Sequence, residues 1–224
     1  HQTRLIQQNK GTIDKYIGDA IMAFWGAPMS DDQHARDAVI TGMAMQAALK
    51  ELNPILQASG WPPVAIGVGV NTGRMSVGNM GSEFRMAYTV MADAVNLASR
   101  LEALTRQYGV GVLVGETTRD ACPDIVFRLV DRVKVKGKDK SVAIYQPLGV
   151  SGQVSDEVLE EAREFEAMLA DYLARSWDAA EDRLRALKFR GASKLYDVYI
   201  ERIAHFREAP PPPDWDGVYT YTTK

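Results

Sequence analysis

Two short stretches of the sequence carry polar side chains whose types and spacing suit chemistry on a nucleoside triphosphate. The first, GTIDKYIGDAIMAFWGAP, contains Lys15 and Asp19, and the second, YTVMADAVNLASRLE, contains Asn96 and Arg100. Arginine suits developing phosphate charge because its planar guanidinium stays protonated and donates in two directions at once. Carboxylate oxygens are ligands that Mg²⁺ prefers, so Asp19 is a candidate metal ligand. These residues therefore predict phosphoryl-group chemistry, provided that the fold brings them together.

The first stretch predicts a β-hairpin. A glycine followed by Asp19 interrupts two apolar runs, which is a hairpin turn signal, so Asp19 is expected at the tip. Side chains alternate along a strand, which places Lys15 between Ile13 and Ile17 on one face and sends Asp14 to the other. A buried ammonium is costly without a partner, so Lys15 must reach an edge or a polar group outside its strand. A purely structural interpretation stays open, in which Lys15 pairs with a neighbouring carboxylate and Asp19 only makes the turn.

The second stretch predicts a helix that begins at Asp93, a good N-cap residue. Leucine and alanine follow at a spacing of about 3.6 residues and form an apolar stripe. Asn96 and Arg100 are four residues apart, so they are neighbours on one face, and that face points away from the stripe. Two interpretations stay open for this pair, a solvated surface and a surface that faces a ligand.

A third segment, residues 131–146, predicts another hairpin with four lysines near its tip. They are Lys134, Lys136, Lys138 and Lys140. Such a run is typical of a solvated sheet edge that discourages aggregation between strands. Near a polyphosphate site, the same lysines would instead supply compact positive charge.

Together, these motifs resemble the catalytic domain of class III adenylate/guanylate cyclases, of the bacterial adenylate cyclase type. DKYIGDAIMAFWG, YTVxxDxVNLASRLE and a downstream VKGK occur in the family's order, and the resemblance covers roughly residues 11–148. It implies an adenylate cyclase that converts ATP to 3′,5′-cyclic AMP and pyrophosphate in signal transduction. The ribose 3′-hydroxyl would attack the α-phosphate with the help of two divalent ions per site, Mg²⁺ or Mn²⁺.

The resemblance also implies a role for each matching residue. Lys15 and Thr89 match the pair that selects the base, and a lysine with a threonine resembles adenylate rather than guanylate cyclases. Asp19 matches the second of the family's two metal-binding aspartates. Asn96 matches the residue that orients the ribose, and Arg100 matches the residue that stabilises the transition state.

Lys136, in the lysine hairpin, matches the family residue that holds the terminal phosphates. In the family, the base-binding lysine and the metal aspartate of one chain serve different sites. The resemblance thus implies a head-to-tail homodimer with composite active sites. The family's first metal-binding aspartate lies on a strand before the lysine motif, whereas this chain starts at His1, in what reads as the end of a helix. We therefore expect an N-terminally truncated domain that lacks its first strand.

The remaining pattern predicts an α+β fold. A helix is expected at about residues 31–57, a strand at 64–71, a Gly-rich strand pair at 74–88 and a further strand at 110–114. Strands and helices mixed in this order suggest a ferredoxin-like sandwich, which is also the fold of the cyclase family.

Near residue 150 the sequence pattern changes from mixed strands and helices to helices alone. Residues 1–150 are expected to form the catalytic domain, and residues 151–224 a small helical extension with a Pro-rich tail. Three apolar stripes in the extension resemble a tetratricopeptide-like unit. Such arrays need about three repeats to be stable on their own, so the unit is expected to pack against the catalytic domain or against a copy of itself. An alternative function is a partner-binding module that acts through this extension.

The composition limits the classes of function and the cellular locations that fit this sequence. A net charge of -3 over 224 residues argues against a nucleic-acid binder, because such domains are usually basic. A single cysteine, Cys122, excludes an internal disulfide framework and fits a reducing cytosol. No apolar run approaches the roughly 20 residues that span a bilayer, so we expect a cytoplasmic protein or the cytoplasmic part of a membrane-bound sensor. If the first strand is truly absent, a catalytically silent nucleotide-binding regulator is a further alternative.

Overall fold

The computed structural model describes residues 1–82, 85–134 and 141–218 of the chain. The strands are β1 (Thr12–Ile17), β2 (Ala20–Phe24), β3 (Val68–Val70), β4 (Ser76–Ser82), β5 (Arg85–Met91), β6 (Val112–Gly115), β7 (Ile125–Val133) and β8 (Val142–Val150). The helices are α1 (Gln2–Gln8), α2 (His34–Ala58), α3 (Asp93–Tyr108), α4 (Glu116–Asp120), α5 (Asp156–Leu173), α6 (Trp177–Arg190) and α7 (Lys194–Glu208). Strands and helices mix along the chain, so the predicted α+β class is confirmed. None of the helices in these ranges combines the length and the hydropathy that a bilayer crossing requires.

The central sheet has four strands in the order β3-β6-β8-β7. β3 runs parallel to β6, whereas β8 is antiparallel to both of its neighbours. The hairpins β1-β2 and β4-β5 form two separate two-stranded sheets. Within the described ranges neither hairpin joins the hydrogen-bond ladder of the central sheet, so side-chain contacts and connecting loops must position both.

Both faces of the central sheet are covered. The side chains of β6 alternate in direction, and they enter a different hydrophobic core on each face. Leu113 belongs to a core that includes α3 and the C-terminal helices, whereas Val112 and Val114 belong to a second core that includes Val39 of α2. All four side chains are buried. The sheet is therefore the middle layer of the α+β sandwich that the sequence predicts.

The C-terminal helices share a core with the central sheet. Phe165 of α5, Leu184 of α6 and Tyr199 of α7 are fully buried in the same cluster as Val130 of β7. The Tyr199 hydroxyl also donates to the Val130 carbonyl oxygen at 2.7 Å. The expectation that this segment packs against the rest of the chain is therefore confirmed, while the domain boundary at residue 150 stays a prediction.

A buried ion pair ties α7 to β7. Arg202 and Asp131 are only 2% and 4% exposed, and a guanidinium nitrogen lies 2.7 Å from the carboxylate. Tyr108, the last residue of α3, donates its hydroxyl to Asp131 and accepts a hydrogen bond from Arg202 at 3.0 Å. The backbone N–H of Arg132 donates to the other carboxylate oxygen. Three elements of the fold therefore meet at one buried carboxylate.

Several elements differ in extent from the sequence prediction. The Gly-rich strand pair begins at Ser76 and ends at Met91 rather than at 74 and 88, and the strand expected at 110–114 is β6. α2 begins at His34 rather than near residue 31. β3 covers only Val68–Val70 of the longer strand that was expected.

The chain just before β3 is hydrogen-bonded to α2. The backbone N–H and carbonyl of Val64 are both bonded to the side-chain amide of Asn53, and the Ile66 carbonyl accepts from the Gln46 side chain at 3.0 Å. That part of the chain therefore binds a helix instead of a neighbouring strand.

Replacement of Arg202 by methionine should destabilise the fold strongly. Without the guanidinium, the Asp131 carboxylate stays buried with less compensation, and breaking a buried ion pair in this way costs about 3–5 kcal/mol. Urea unfolding followed by circular dichroism measures this loss in the free energy of unfolding.

The matched control is Arg185→Met on α6. The Arg185 side chain is 68% exposed and pairs with Glu181 at 2.8 Å, and exposed pairs of this kind contribute about 1 kcal/mol or less. Equal stability of the Arg202→Met and Arg185→Met variants would contradict the importance of the buried pair.

Candidate active site

Lys15 and Thr89 are 74 residues apart in the sequence and lie within hydrogen-bonding distance in the structure. The Lys15 ammonium donates to Thr89 Oγ1 at 3.1 Å. Thr89 is buried, with 8% of its surface exposed, whereas 45% of the Lys15 side chain is exposed. One member of the pair is thus fixed inside the protein and the other reaches toward solvent, where a ligand can approach.

Asp14 completes this group, although the sequence motifs indicated no role for it. Its side chain is fully buried, and its Oδ2 accepts from the Thr89 hydroxyl and, at 3.3 Å, from the backbone N–H of Val90. The Lys15 ammonium lies 3.1 Å from Asp14 Oδ1, and that oxygen accepts no hydrogen bond of good geometry from the described residues. Asp14, Lys15 and Thr89 are called the Asp14 cluster below.

The expected alternation of side chains along β1 is wrong at Asp14. The pairing of β1 with β2 shifts register between Ile13 and Lys15, so Asp14 has no partner residue on β2. A bulge of this kind adds one residue to a strand and redirects its neighbours. Asp14 and Lys15 therefore both reach Thr89 instead of pointing to opposite faces.

Aromatic rings also connect the two hairpins. Phe24, the last residue of β2, is buried, and its ring centroid lies 6.0 Å from that of Tyr88. Tyr88 precedes Thr89 on β5. The ring contact and the Asp14 cluster therefore hold the same part of β5 against the first hairpin.

Asn96 and Arg100 lie on α3, the helix that follows β5. The helix begins at Asp93 with Ala92 as its N-cap, one residue before the predicted cap. Because the leucine stripe of α3 is buried, Asn96 is exposed and Arg100 is partly exposed. Neither side chain forms a hydrogen bond or an ion pair with another residue of the described ranges. Both are therefore available to a ligand that approaches the exposed face of α3.

Asp19 is exposed at the tip of the β1-β2 hairpin, as the sequence predicts. Gly18 before it has a φ of 63°, the left-handed conformation that glycine adopts readily. The described residues contain no group of three His, Cys, Asp or Glu side chains that could hold a metal ion. Asp19 can supply a single carboxylate, and Mg²⁺ typically takes one or two carboxylates together with water and phosphate oxygens. The residue therefore fits a metal site that a bound triphosphate or a second copy completes.

Lys136 lies outside the described residues, as do Lys138 and Lys140. The strands on either side of this segment are present, since β7 ends at Val133 and β8 begins at Val142, and the two strands pair with each other. The predicted role of Lys136 in holding phosphate groups stays a prediction.

Cys122 is unsuited to nucleophilic chemistry. The residue is 1% exposed, and burial raises the pKa of its thiol to about 11. The thiolate is the reactive form of cysteine, so this side chain stays protonated and unreactive at neutral pH. Among the described residues, the polar side chains of the β1-β2 and β4-β5 hairpins and of α3 are therefore better candidates for the chemistry than Cys122.

A family model described as the adenylate and guanylate cyclase catalytic domain matches residues 2–146. Among curated relatives, Adenylate cyclase 1 of Rhizobium meliloti is 36% identical over 149 residues, which cover 66% of this chain and 22% of that relative. The chain spans less than a third of the length of the first curated relatives that it matches.

Two solved structures resemble the fold at the same sequence identity. The adenylyl cyclase CyaB from P. aeruginosa has a TM-score of 0.63 and 35% identity, and the match covers 69% of this chain and 80% of that one. The guanylyl cyclase Cya2 has a TM-score of 0.60 and 35% identity, with coverage of 68% and 77%. These two proteins are named for different nucleotides, so structural similarity alone does not show which purine nucleotide this chain binds. That specificity has to be inferred from the side chains at the positions that would contact the base.

Proposed function

The chain belongs to the family of adenylate and guanylate cyclase catalytic domains, and we propose that it is an adenylate cyclase that converts ATP to 3′,5′-cyclic AMP and pyrophosphate. The observation that carries the choice of ATP is the 3.1 Å contact between Lys15 and Thr89. The names of the R. meliloti relative and of CyaB support the same activity. Cyclic AMP is a signalling nucleotide, so the proposed role is in signal transduction.

Adenine and guanine differ in the polarity of the groups that Lys15 and Thr89 would meet. Adenine presents an acceptor at ring nitrogen N1 and a donor at its 6-amino group, whereas guanine presents N1–H and the acceptor O6. The Lys15 ammonium can only donate, so it suits adenine N1 and leaves the N1–H of guanine without a partner. The pair therefore favours ATP over GTP.

The exposed polar residues of α3 would act on the ribose and the phosphates. Asn96 would orient the ribose, whose 3′-hydroxyl attacks the α-phosphate in line while pyrophosphate leaves. Arg100, one turn further along the helix, would donate to phosphate oxygens as negative charge develops on them. Lys136 would hold the terminal phosphates.

Cyclases of this family use divalent metal ions, and we assign Asp19 as a ligand of two Mg²⁺ or Mn²⁺ ions per site. The assignment is supported by the exposed carboxylate at the hairpin tip, which is a hard oxygen donor of the kind that these ions prefer. Divalent ions, when bound, supply Lewis-acid stabilisation of charge on phosphate oxygens.

The active site is proposed to form between two copies of the chain in a head-to-tail homodimer. Large apolar side chains are exposed on the two hairpins, at Tyr16, Ile17, Met86 and Met91, each of them 58–64% exposed. Exposed apolar side chains concentrated in this way are typical of an interaction surface. Asp19 and Lys15 lie on the same hairpin, so a second copy placed head to tail would bring its metal ligand to the base-binding pair of the first.

The helical extension, residues 151–224, is proposed to support the cyclase domain of residues 1–150. The buried ion pair of Arg202 with Asp131 of β7, and the hydrogen bond from Arg202 to Tyr108 of α3, favour this structural role over a module that acts mainly by binding a protein partner. The free, buried Cys122 agrees with a reducing, cytoplasmic location. A silent nucleotide-binding regulator is the remaining alternative, and ATP binding without a cyclic product would identify it.

A change of base preference tests the proposed activity. The purified chain should release cyclic AMP and pyrophosphate from ATP when Mg²⁺ or Mn²⁺ is supplied. Lys15→Glu combined with Thr89→Cys should move the ratio of kcat/KM for ATP over GTP toward GTP by about tenfold or more, because a carboxylate accepts from the N1–H of guanine. Chromatography of the cyclic products measures this ratio.

Lys50→Glu, an exposed charge reversal on α2, is the matched control and should keep the wild-type ratio. A double variant that still prefers ATP as the wild type does would refute the assignment of Lys15 and Thr89.

Mixing two impaired variants tests the head-to-tail dimer. Asp19→Asn and Arg100→Ala should each lose most activity alone, because each defect damages both sites of a homodimer. In an equimolar mixture, half of the dimers carry one intact site, so activity should recover to about a quarter of the wild-type value. Pyrophosphate release at fixed total protein measures the recovery.

A mixture of Lys15→Ala with Arg100→Ala is the control. These two residues would serve the same site from the same chain, so their mixture should regain no activity. Recovery in both mixtures, or in neither, would contradict the proposed arrangement.

A further inference from the structure

Asp14 has no role in the proposal above, yet its buried carboxylate holds both residues that would contact the base. Building on the proposed function, we propose that Asp14 is a positioning residue that sets base specificity, because it fixes the direction of the hydrogen bond at Thr89 so that the hydroxyl offers a purine only an acceptor.

The direction of each hydrogen bond in the Asp14 cluster follows from its chemistry. A carboxylate can only accept and an ammonium can only donate, whereas a threonine hydroxyl has one proton and two lone pairs. Thr89 Oγ1 contacts both Asp14 Oδ2 and the Lys15 ammonium. The single hydroxyl proton must therefore point to Asp14, and one lone pair accepts from Lys15. A single lone pair of Thr89 remains, and it has no proton to offer.

The remaining lone pair discriminates between the two purines. The 6-amino group of adenine is a donor and can bond to it, whereas O6 of guanine is an acceptor that meets another acceptor. Thr89 as an isolated residue could rotate its hydroxyl and donate to O6 instead. Asp14 prevents this, because rotation would leave a buried carboxylate oxygen without its donor, which is costly.

The surroundings of Asp14 hold this arrangement in place. Its side chain has no exposed surface, and the backbone N–H of Val90 donates to the same Oδ2 that the Thr89 hydroxyl binds. The bulge in β1 turns Asp14 toward β5. Asp14 is thus shielded from solvent and acts on a ligand through Thr89.

Asp14→Leu tests the inference in the full chain. Leucine is close in size but cannot accept a hydrogen bond, so the Thr89 hydroxyl proton is free to bind O6 of guanine. The ratio of kcat/KM for ATP over GTP should fall by about tenfold. The ratio of dissociation constants for ATP and GTP, from competition with a fluorescent ATP analogue, should fall in the same direction.

Two further variants separate this role from a general structural one. In a Thr89→Val background the hydroxyl is absent, so adding Asp14→Leu should leave the ATP-to-GTP ratio unchanged. Asp182→Leu, at an exposed position of α6 with a side chain 77% exposed, should keep the wild-type ratio. If Asp14→Leu does not fold, as thermal unfolding would reveal, Thr89→Ser should retain the ratio and Thr89→Val should lower it.

The outcomes distinguish this inference from the proposed function. A folded Asp14→Leu protein that keeps the wild-type ratio overturns the inference and leaves the cyclase activity standing. The same holds if Asp14→Leu lowers the ratio equally in the Thr89→Val background, or if Thr89→Val keeps the wild-type ratio. A wild-type chain that neither cyclises nor binds ATP or GTP overturns the proposed function itself and the inference with it.

Discussion

One buried carboxylate, that of Asp14, supplies hydrogen bonds that join the β1-β2 hairpin to the β4-β5 hairpin. Neither hairpin pairs with the central sheet within the described residues, so no ladder of backbone hydrogen bonds fixes their relative position. Asp14 joins them instead, through the hydroxyl of Thr89 and the backbone N–H of Val90. Hydrogen bonds to charged groups contribute about 1.5–3 kcal/mol each. The position of Lys15 against β5 therefore depends on this side chain together with the ring contact between Phe24 and Tyr88.

Helix α3 connects the Asp14 cluster to the C-terminal helices and is held in place at both of its ends. The first turn of α3 follows β5 and the Asp14 cluster. The hydroxyl of the last residue of α3, Tyr108, is hydrogen-bonded to both members of the buried ion pair of Asp131 and Arg202. Asn96 and Arg100 lie between these two fixed ends. A helix held at both ends keeps exposed side chains in place before a ligand arrives, and such preorganisation is a main source of catalytic power. The helical extension thus supports the exposed face of α3 from its far end.

Local patterns predicted much of this structure, and long-range contacts account for what they missed. The helical period placed Asn96 and Arg100 on the exposed side of α3, and a turn signal placed Asp19 at a hairpin tip, because both features depend only on near neighbours. The role of Asp14 was missed because a bulge depends on the partner strand, which the sequence of β1 alone does not contain. Arg202 looks like an ordinary helical surface residue, and its carboxylate partner lies 71 residues away.

A crystal structure of the full chain with 3′-deoxy-ATP and Mn²⁺ would show how the base is held, since this nucleotide lacks the hydroxyl that cyclises and stays intact. We expect adenine N1 within about 3 Å of the Lys15 ammonium, the 6-amino group at the same distance from Thr89 Oγ1, and Asp14 still bonded to Thr89. A purine bound away from Lys15 and Thr89, or a Thr89 hydroxyl turned away from Asp14 in the complex, would contradict this expectation.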